Sequence, residues 1–311
     1  MRTPTRAQVK VLKSLQNRSV TVTSMLAEAT RHQQQTGHRP PQSWYENFHD
    51  HAILREELTN AAHAAGVPRA WIDHVRERGQ RGVSWRADLY LRTPDAVDWN
   101  QVLSSLDVDV QRLREWTALA AAYGPIGARA EISVAAGFDR NLRVLRSRTA
   151  GVANLLGLSV EQGDQLWGAE SDWVAAGVAM VDGVPVEGLA QRWRQAARAD
   201  TRVYALQATA LADAGITIDT AVALPSHEQL GPPISAALTP LQPLFQPAAT
   251  PGEEIETAIG AANLTYNADT DAEIAIGAPT FSDAPGTDPW TSYQSPSDVP
   301  AAPPIWQGIE L

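Results

Sequence analysis

The chain has 311 residues, 25 of them Lys or Arg and 35 Asp or Glu; this exceeds the roughly 100 to 200 residues of one ordinary domain, so two domains or a domain with a non-globular part are expected. The absence of cysteine excludes disulfides, thiolate zinc sites and iron–sulfur clusters, and no run of about 18 apolar residues exists to span a membrane. Residues 1–216 contain every Lys and Arg and carry a net +2, whereas residues 217–311 hold 12 acids and no Lys or Arg.

The overall charge of −10 therefore belongs to the C-terminal part, and an acidic pI does not argue against nucleic acid as a partner of the remainder. Only Lys10 and Lys13 are lysines; the arginine bias reads mostly as codon usage in a GC-rich genome. The N-terminus, MRTPTRAQVKVLKSLQ, lacks the apolar stretch of a signal peptide, so the expected compartment is the cytoplasm.

Thr3-Pro4 reads as a cap followed by a first-turn proline, and Val11, Leu15, Val22 and Met25 at helical spacing predict a helix over about 4–35, with Val20 to Thr23 as a weak point. Gly37 to Pro41 is a linker, after which Ser43 and Glu46 match a capping box opening a second helix to Ala65. Gly66 and a short third helix, Val67 to Arg78, follow. Trp99, Val102, Leu103, Leu106, Val110, Leu113, Trp116 and Ala120 share one helical face over 95–123, with Gly124-Pro125 as the stop. Another helix, about 139–156, turns Leu142, Leu145, Val152 and Leu156 inward and ends at Gly157. Ser159 and Gln162 form a second capping box, and a last helix spans about 186–214.

Beyond Ile216 the periodicity collapses, since 14 of the 21 prolines lie in the final 95 residues. Proline blocks helix interiors and central strands, and low hydrophobicity with single-sign charge leaves too little apolar surface to offset ordering entropy. A disordered, acidic, proline-rich tail is expected over 217–311, with the structured part ending near 216.

Ala62, Gly66 and Ile72, spaced four and six residues apart, with Ala61, Ala65, Val67 and Val75 also apolar, resemble the helix-turn-helix of bacterial DNA-binding proteins over residues 58–78. The resemblance implies that Gly66 supplies a positive φ at the turn and that the third helix enters the major groove by its N-terminal residues. Arg69 and His74 are then the base readers, and Arg76, Arg78, Arg81 and Arg86 the phosphate contacts. Asp73 and Glu77 sit on the same face and oppose that reading; a plain helical hairpin joined by a glycine turn is the alternative.

Arg140, Arg143 and Arg146, with Arg148 nearby, and Arg192, Arg194, Arg198 and Arg202 form further arginine stripes, read as solvated faces with phosphate contact as the alternative. Trp71, Trp99, Trp116, Trp167, Trp173 and Trp193 read as core, while Trp85 either closes a small core or stacks on a partner. No phosphate loop, His-Glu-x-x-His or nucleophile elbow is present, and His49 and His51, two apart on a helix, point to different sides. Neither enzymatic activity, cofactor nor metal is expected.

The organisation expected is all-α: an N-terminal helix and linker (1–41), a helix-turn-helix-like segment (42–92), a helical domain (93–216) and the tail (217–311). The function expected is that of a DNA-binding regulatory or accessory protein; the alternative is a non-catalytic helical scaffold. Expected partners are double-stranded DNA, a protein docking on Ile305, Trp306, Ile309 and Leu311 at the end of the tail, and a second copy of the chain, since helix-turn-helix modules commonly read paired half-sites. No membrane is expected.

Overall fold

The computed structural model describes residues 3–86, 90–216, 224–225 and 227–238, all within the unit Met1–Ala248. Among these residues the apolar periodicity is realised as ten helices and no strand: α1 (Arg6–Thr36), α2 (Gln42–Ala64), α3 (Arg69–Gln80), α4 (Trp99–Ala130), α5 (Ile132–Leu156), α6 (Val160–Trp167), α7 (Glu170–Val181), α8 (Val186–Arg198), α9 (Arg202–Asp213) and α10 (His227–Leu238). The all-α class expected from the sequence is the class observed.

Several boundaries differ from the sequence expectation, each for a local reason. Thr5, not Thr3, caps α1: its hydroxyl accepts from Gln8 N at 3.2 Å while the Gln8 side chain accepts from Thr5 N at 3.0 Å. The weak point at Val20 to Thr23 stays helical because Val22 is buried against the core; Ser19 and Thr21 donate back to the carbonyls of Leu15 and Asn17 without breaking the helix. Ser43 does not cap α2, which starts one residue earlier after Pro41. Pro68 delays α3 to Arg69.

Two larger departures concern how long helices are broken or continued. α4 passes through Gly124-Pro125 to Ala130. Pro125 has no N–H for the carbonyl four residues back, and the Ser235 hydroxyl of α10 donates to that Ala121 oxygen at 3.4 Å. Conversely, the single helix expected over 186–214 is two. Asn141 of α5 is buried and donates to the carbonyls of Ala196, Ala197 and Ala199 at 2.9–3.0 Å, capping the end of α8, and it accepts from the Thr201 hydroxyl at 2.8 Å, just before α9.

The structured part does not end at 216. Leu230, Ile234 and Leu238 recur one turn apart on α10 and are buried, packing the helix on α4 and α7; Leu224 is buried ahead of it. A Cβ on Gly177 of α7 would meet the Ile234 side chain at 3.1 Å, so the glycine sets that close approach. Proline density is a poor guide here, because Pro232 and Pro233 lie inside the helix. The remainder of 217–311 lies outside the described residues.

One apolar core draws on all ten helices. α4 and α5 pack on each other at its centre; α8 and α9 lean on α5, α7 and α10 on α4, and α1 to α3 form a layer joined through α2 to α9. Trp71, Trp116, Trp167, Trp173 and Trp193 are buried as expected, Trp99 is half-buried, and Trp85 packs against the core.

A polar chain runs through this core. Arg148 of α5 and Asp109 of α4, 7% and 3% exposed, form an ion pair. Arg148 Nε also donates to Gln207 of α9 at 3.0 Å, the Tyr204 hydroxyl donates to Asp109 at 2.8 Å, and Gln207 donates to Glu57 of α2 at 3.0 Å. Arg148 is thus no member of a solvated stripe.

Two outcomes follow. Truncation after Ile216 removes the buried side chains of α10, each worth roughly 1.5–3 kcal/mol of apolar burial; denaturant unfolding of chains ending at 216 and at 238 should show the shorter less stable by several kcal/mol. Asp109→Ala leaves a buried guanidinium unpaired and should cost about 3–5 kcal/mol, whereas Asp109→Leu with Arg148→Met should recover most of that loss.

Candidate interaction sites

The turn before α3 has the backbone its glycine was expected to supply. Gly66 sits at φ 66°, Val67 N donates to Ala62 O at 3.0 Å, and Ala61, Ala62, Ala65, Val67, Ile72 and Val75 are all at most 2% exposed. A Cβ on Gly66 would fall 2.8 Å from the Trp99 ring and 3.3 Å from Val97. The chain leading into α4 therefore lies directly over the bend.

That same segment, residues 90–98, closes along one side of α3. The Trp71 indole donates to Arg92 O at 2.9 Å, Ala70 N donates to the Asp95 carboxylate at 3.2 Å, and Arg92 holds Glu77 through both guanidinium nitrogens at 2.5 and 3.2 Å. Asp95 thus occupies the N-terminus of α3, where a phosphate would otherwise be favoured. The adjoining cleft, about 360 Å³, is lined by His63, Arg69, Asp95, Asp98, Gln101 and Ser105 among others. Its second helix start is filled as well, since Asp98 accepts from Gln101 N at 3.1 Å.

The residues expected to read DNA are distributed unevenly over this surface. Arg69 projects into solvent, its side chain 76% exposed, with Asp73 at 3.6 Å. Arg76 is paired with Glu56 of α2 at 3.3 Å. The Nε of Arg78 is buried without an acceptor. Arg81 folds back on Glu77 O, and Arg81 and Arg86 are exposed beyond the end of α3. His74 is turned inward: both ring nitrogens are buried without a hydrogen-bond partner. Burial first, and then Arg92 and Arg78, push its ionisation below the ordinary value of 6.5. Ile305, Trp306, Ile309 and Leu311 lie outside the described residues.

In the first arginine stripe Arg143 donates to Asp139 O at 3.2 Å, while the Nε of Arg146 is buried without an acceptor; in the second, three arginines have local partners. Arg194 pairs with Glu131 at 2.6 Å, Arg202 with Asp200 at 3.1 Å, and Arg192 donates to Met180 O. A cleft of about 530 Å³ between α1, α2 and α9 gathers Lys10, Lys13, Arg18 and His51. Two of its cations are already engaged, Lys10 with Gly215 O at 2.9 Å and Arg18 with Asp213 at 2.8 Å. Among the described residues no cluster of three or more His, Asp or Glu is placed to hold a metal ion, and no single helix is long and apolar enough to cross a membrane.

Another feature was not singled out from the sequence. α1 has 31 residues, about 46 Å at 1.5 Å per residue, but its buried residues stop at Val22, and those of α2 begin at Leu58. Between Thr23 and Glu57 no residue is buried, and between Thr23 and Ile53 none joins the core or the shell packed on it. The far half of α1 and the near half of α2 therefore make an antiparallel arm, turned at Gly37 with φ 72°. Trp44 stacks on Phe48, ring centres 5.2 Å apart and planes 8° apart, and meets Tyr45 edge-on at 5.1 Å. Leu26 and Tyr45 remain 47% and 44% exposed. The signal in the sequence was Trp44, Tyr45 and Phe48 beside the Gly37 to Pro41 linker.

No protein-family model, curated protein or solved structure matches the chain.

The inward His74 has a measurable consequence. Its ionisation is depressed in the folded state, as is that of His63, for which burial is the largest cause and Arg69 the next. On acidification the unfolded chain takes up these protons first, so their contribution to stability is complete above about pH 6.5 and is lost as pH falls below it. Glu77, held below its ordinary 4.5 by Arg92, acts only in more acid solution. His74→Gln should flatten the decline in urea stability between about pH 7 and 5; an unchanged slope would remove His74 as its source.

Proposed function

We propose that the chain is a non-catalytic helical interaction protein that docks onto another protein surface through the α1–α2 arm. The observation that carries this reading is the arm's separation from the core together with its aromatic cluster. Trp44, Tyr45, Phe48 and Leu26 stay at least partly accessible on an element that adds nothing to the core. Large aromatic side chains at accessible positions are the groups that dominate protein interfaces when a partner covers them. Maintaining them at the end of a helical projection otherwise only adds exposed apolar surface.

A second reading, duplex DNA bound along α3, draws support from the left-handed Gly66 and its buried surroundings and from exposed Arg69, Arg81 and Arg86. Against it stand Asp95 at the helix start, Glu77 held by Arg92 and Arg76 engaged by Glu56, which place acid beside the start and flank of α3.

The test uses the full chain in its source cells with a photo-crosslinking amino acid at position 45, and the same group at Val203, an equally accessible apolar position on α9 (51% exposed). A protein adduct from position 45 and none from 203 is the expected result; no adduct from position 45 overturns the arm reading. Generic duplex DNA titrated at about 50 and 200 mM salt separates the alternative, because several phosphate contacts make affinity fall steeply with salt. Little binding at the lower salt is expected.

A further inference from the structure

We infer that the cleft between α1, α2 and α9 binds a small phosphate-bearing ligand, its anionic group held by Lys13 with Lys10, Arg18 and His51 around it. The inference goes beyond the arm and does not depend on it. Lys10, Lys13, Ser14, Asn17, Arg18 and Thr21 all line the cleft, and their spacing of three and four residues sets them on one face of α1. His51 of α2 and Asp213 and Ala214 at the end of α9 complete the walls. Lys10 and Lys13 are the only lysines of the chain, so both fall in this one cleft while arginine supplies the positive charge everywhere else. A lysine ammonium is a compact charge on a flexible stem with three rotatable donors. It can follow a phosphate through a range of approaches, where a guanidinium fork demands one plane.

Packing accounts for part of this charge. Lys10 donates to Gly215 O at 2.9 Å and Arg18 pairs with Asp213 at 2.8 Å, places that favour cations because the carbonyl end of α9 carries partial negative charge. The rest is left over. Gly215 O is neutral, so Lys10 keeps its full charge, and Lys13 and His51 enter no ion pair among the described residues. Asp213 is the one carboxylate among the lining residues, against the three fixed cations Lys10, Lys13 and Arg18. The excess of two positive charges matches the charge of about −1.5 to −2 on a phosphate monoester near neutral pH. The Arg18 side chain is only 14% exposed, so its field is screened less than that of a solvated cation.

The shape favours a small ligand over a polymer. Three helices bound about 530 Å³, within the roughly 300–1,000 Å³ of small-molecule sites. A polyanion needs positive charge that continues along the surface. Towards the arm the next charged residues are Glu28 of α1 and Asp50 and Glu46 of α2, all acidic.

The test titrates inorganic phosphate into the full chain at fixed ionic strength, with binding read by calorimetry and by the phosphorus resonance. One saturable site with a dissociation constant below about 1 mM is expected. Lys13→Met should weaken it roughly tenfold and leave thermal unfolding without phosphate unchanged, since Lys13 is exposed. Lys13→Arg returns the charge and should recover part of the loss. Arg140→Met, which removes one exposed charge from α5, should leave binding as it is. Binding that does not saturate, or that falls equally in Lys13→Met and Arg140→Met, overturns the site. Displacement of the phosphate by generic duplex DNA at equal phosphate concentration would assign the cleft to a polynucleotide and reject the small ligand. None of these outcomes alters the adduct expected from position 45, so the two readings fail separately.

Discussion

The register of the central helices is set around one buried ion pair. Arg148 and Asp109 face each other where α4 and α5 cross, and neither charge can be left alone there, because an unpaired charge in an apolar interior costs several kcal/mol. Tyr204 and Gln207 satisfy the remaining atoms and Glu57 extends the chain of bonds, so α9 and α2 are held in register with the central helices. Burial lowers the guanidinium's affinity for its proton, with Tyr204 opposing that effect. An apolar core alone tolerates sliding of alanine-rich helices over one another; a directional polar network at its centre does not.

This network also shows what was legible in the sequence. Leu106, Val110 and Leu113 defined the inner face of α4 correctly, and Leu142 and Leu145 that of α5. Asp109 lies on the first of those faces and Arg148 on the second, three residues after Leu145. Opposite charges on two apolar stripes were therefore visible, yet pairing them across 39 residues required knowing that α4 and α5 pack together. Asn141 was hidden in the same way, since its role is to cap a helix 55 residues away. The end of the structured part was obscured for a different reason: proline and charge statistics outweighed the repeat of Leu230, Ile234 and Leu238. At α3 the bend, its glycine and its buried residues were readable locally, while the covering segment 90–98 was not, because it folds back through a backbone carbonyl at Arg92 and a single carboxylate at Asp95.

Arginine content alone therefore says little about binding in this chain. Where guanidinium groups could have formed a phosphate-binding face, Glu56, Asp73, Glu77, Glu131 and Asp200 pair with them, and exposed pairs of this kind contribute little stability, about 0–1 kcal/mol each. Their larger effect is to reduce the net field that a polyanion would sense. The arm differs in that Leu26 and Tyr45 stay exposed while the rest of its apolar side chains are only partly covered by one another.

What keeps the arm in one direction is its root. The first half of α1 is anchored by Val11, Leu12 and Leu15 in the core and lies so close to α3 that a Cβ on Gly79 would fall 2.5 Å from Gln16 O and from Ser19 Cβ. Glycine is needed there for space, not for its backbone freedom. Gln16 adds a bond to Val83 O at 2.6 Å, immediately beyond α3, so the helix is fixed from two sides within one turn. Because α1 continues without interruption from this anchor to Thr36, its far end inherits the direction set at Gly79. A helix of this length behaves as a nearly rigid rod with only gentle curvature. The Trp44 and Phe48 stack on its neighbour is thereby carried at a defined distance from the body, an arrangement in which close packing at the root determines the presentation of aromatic groups at the tip.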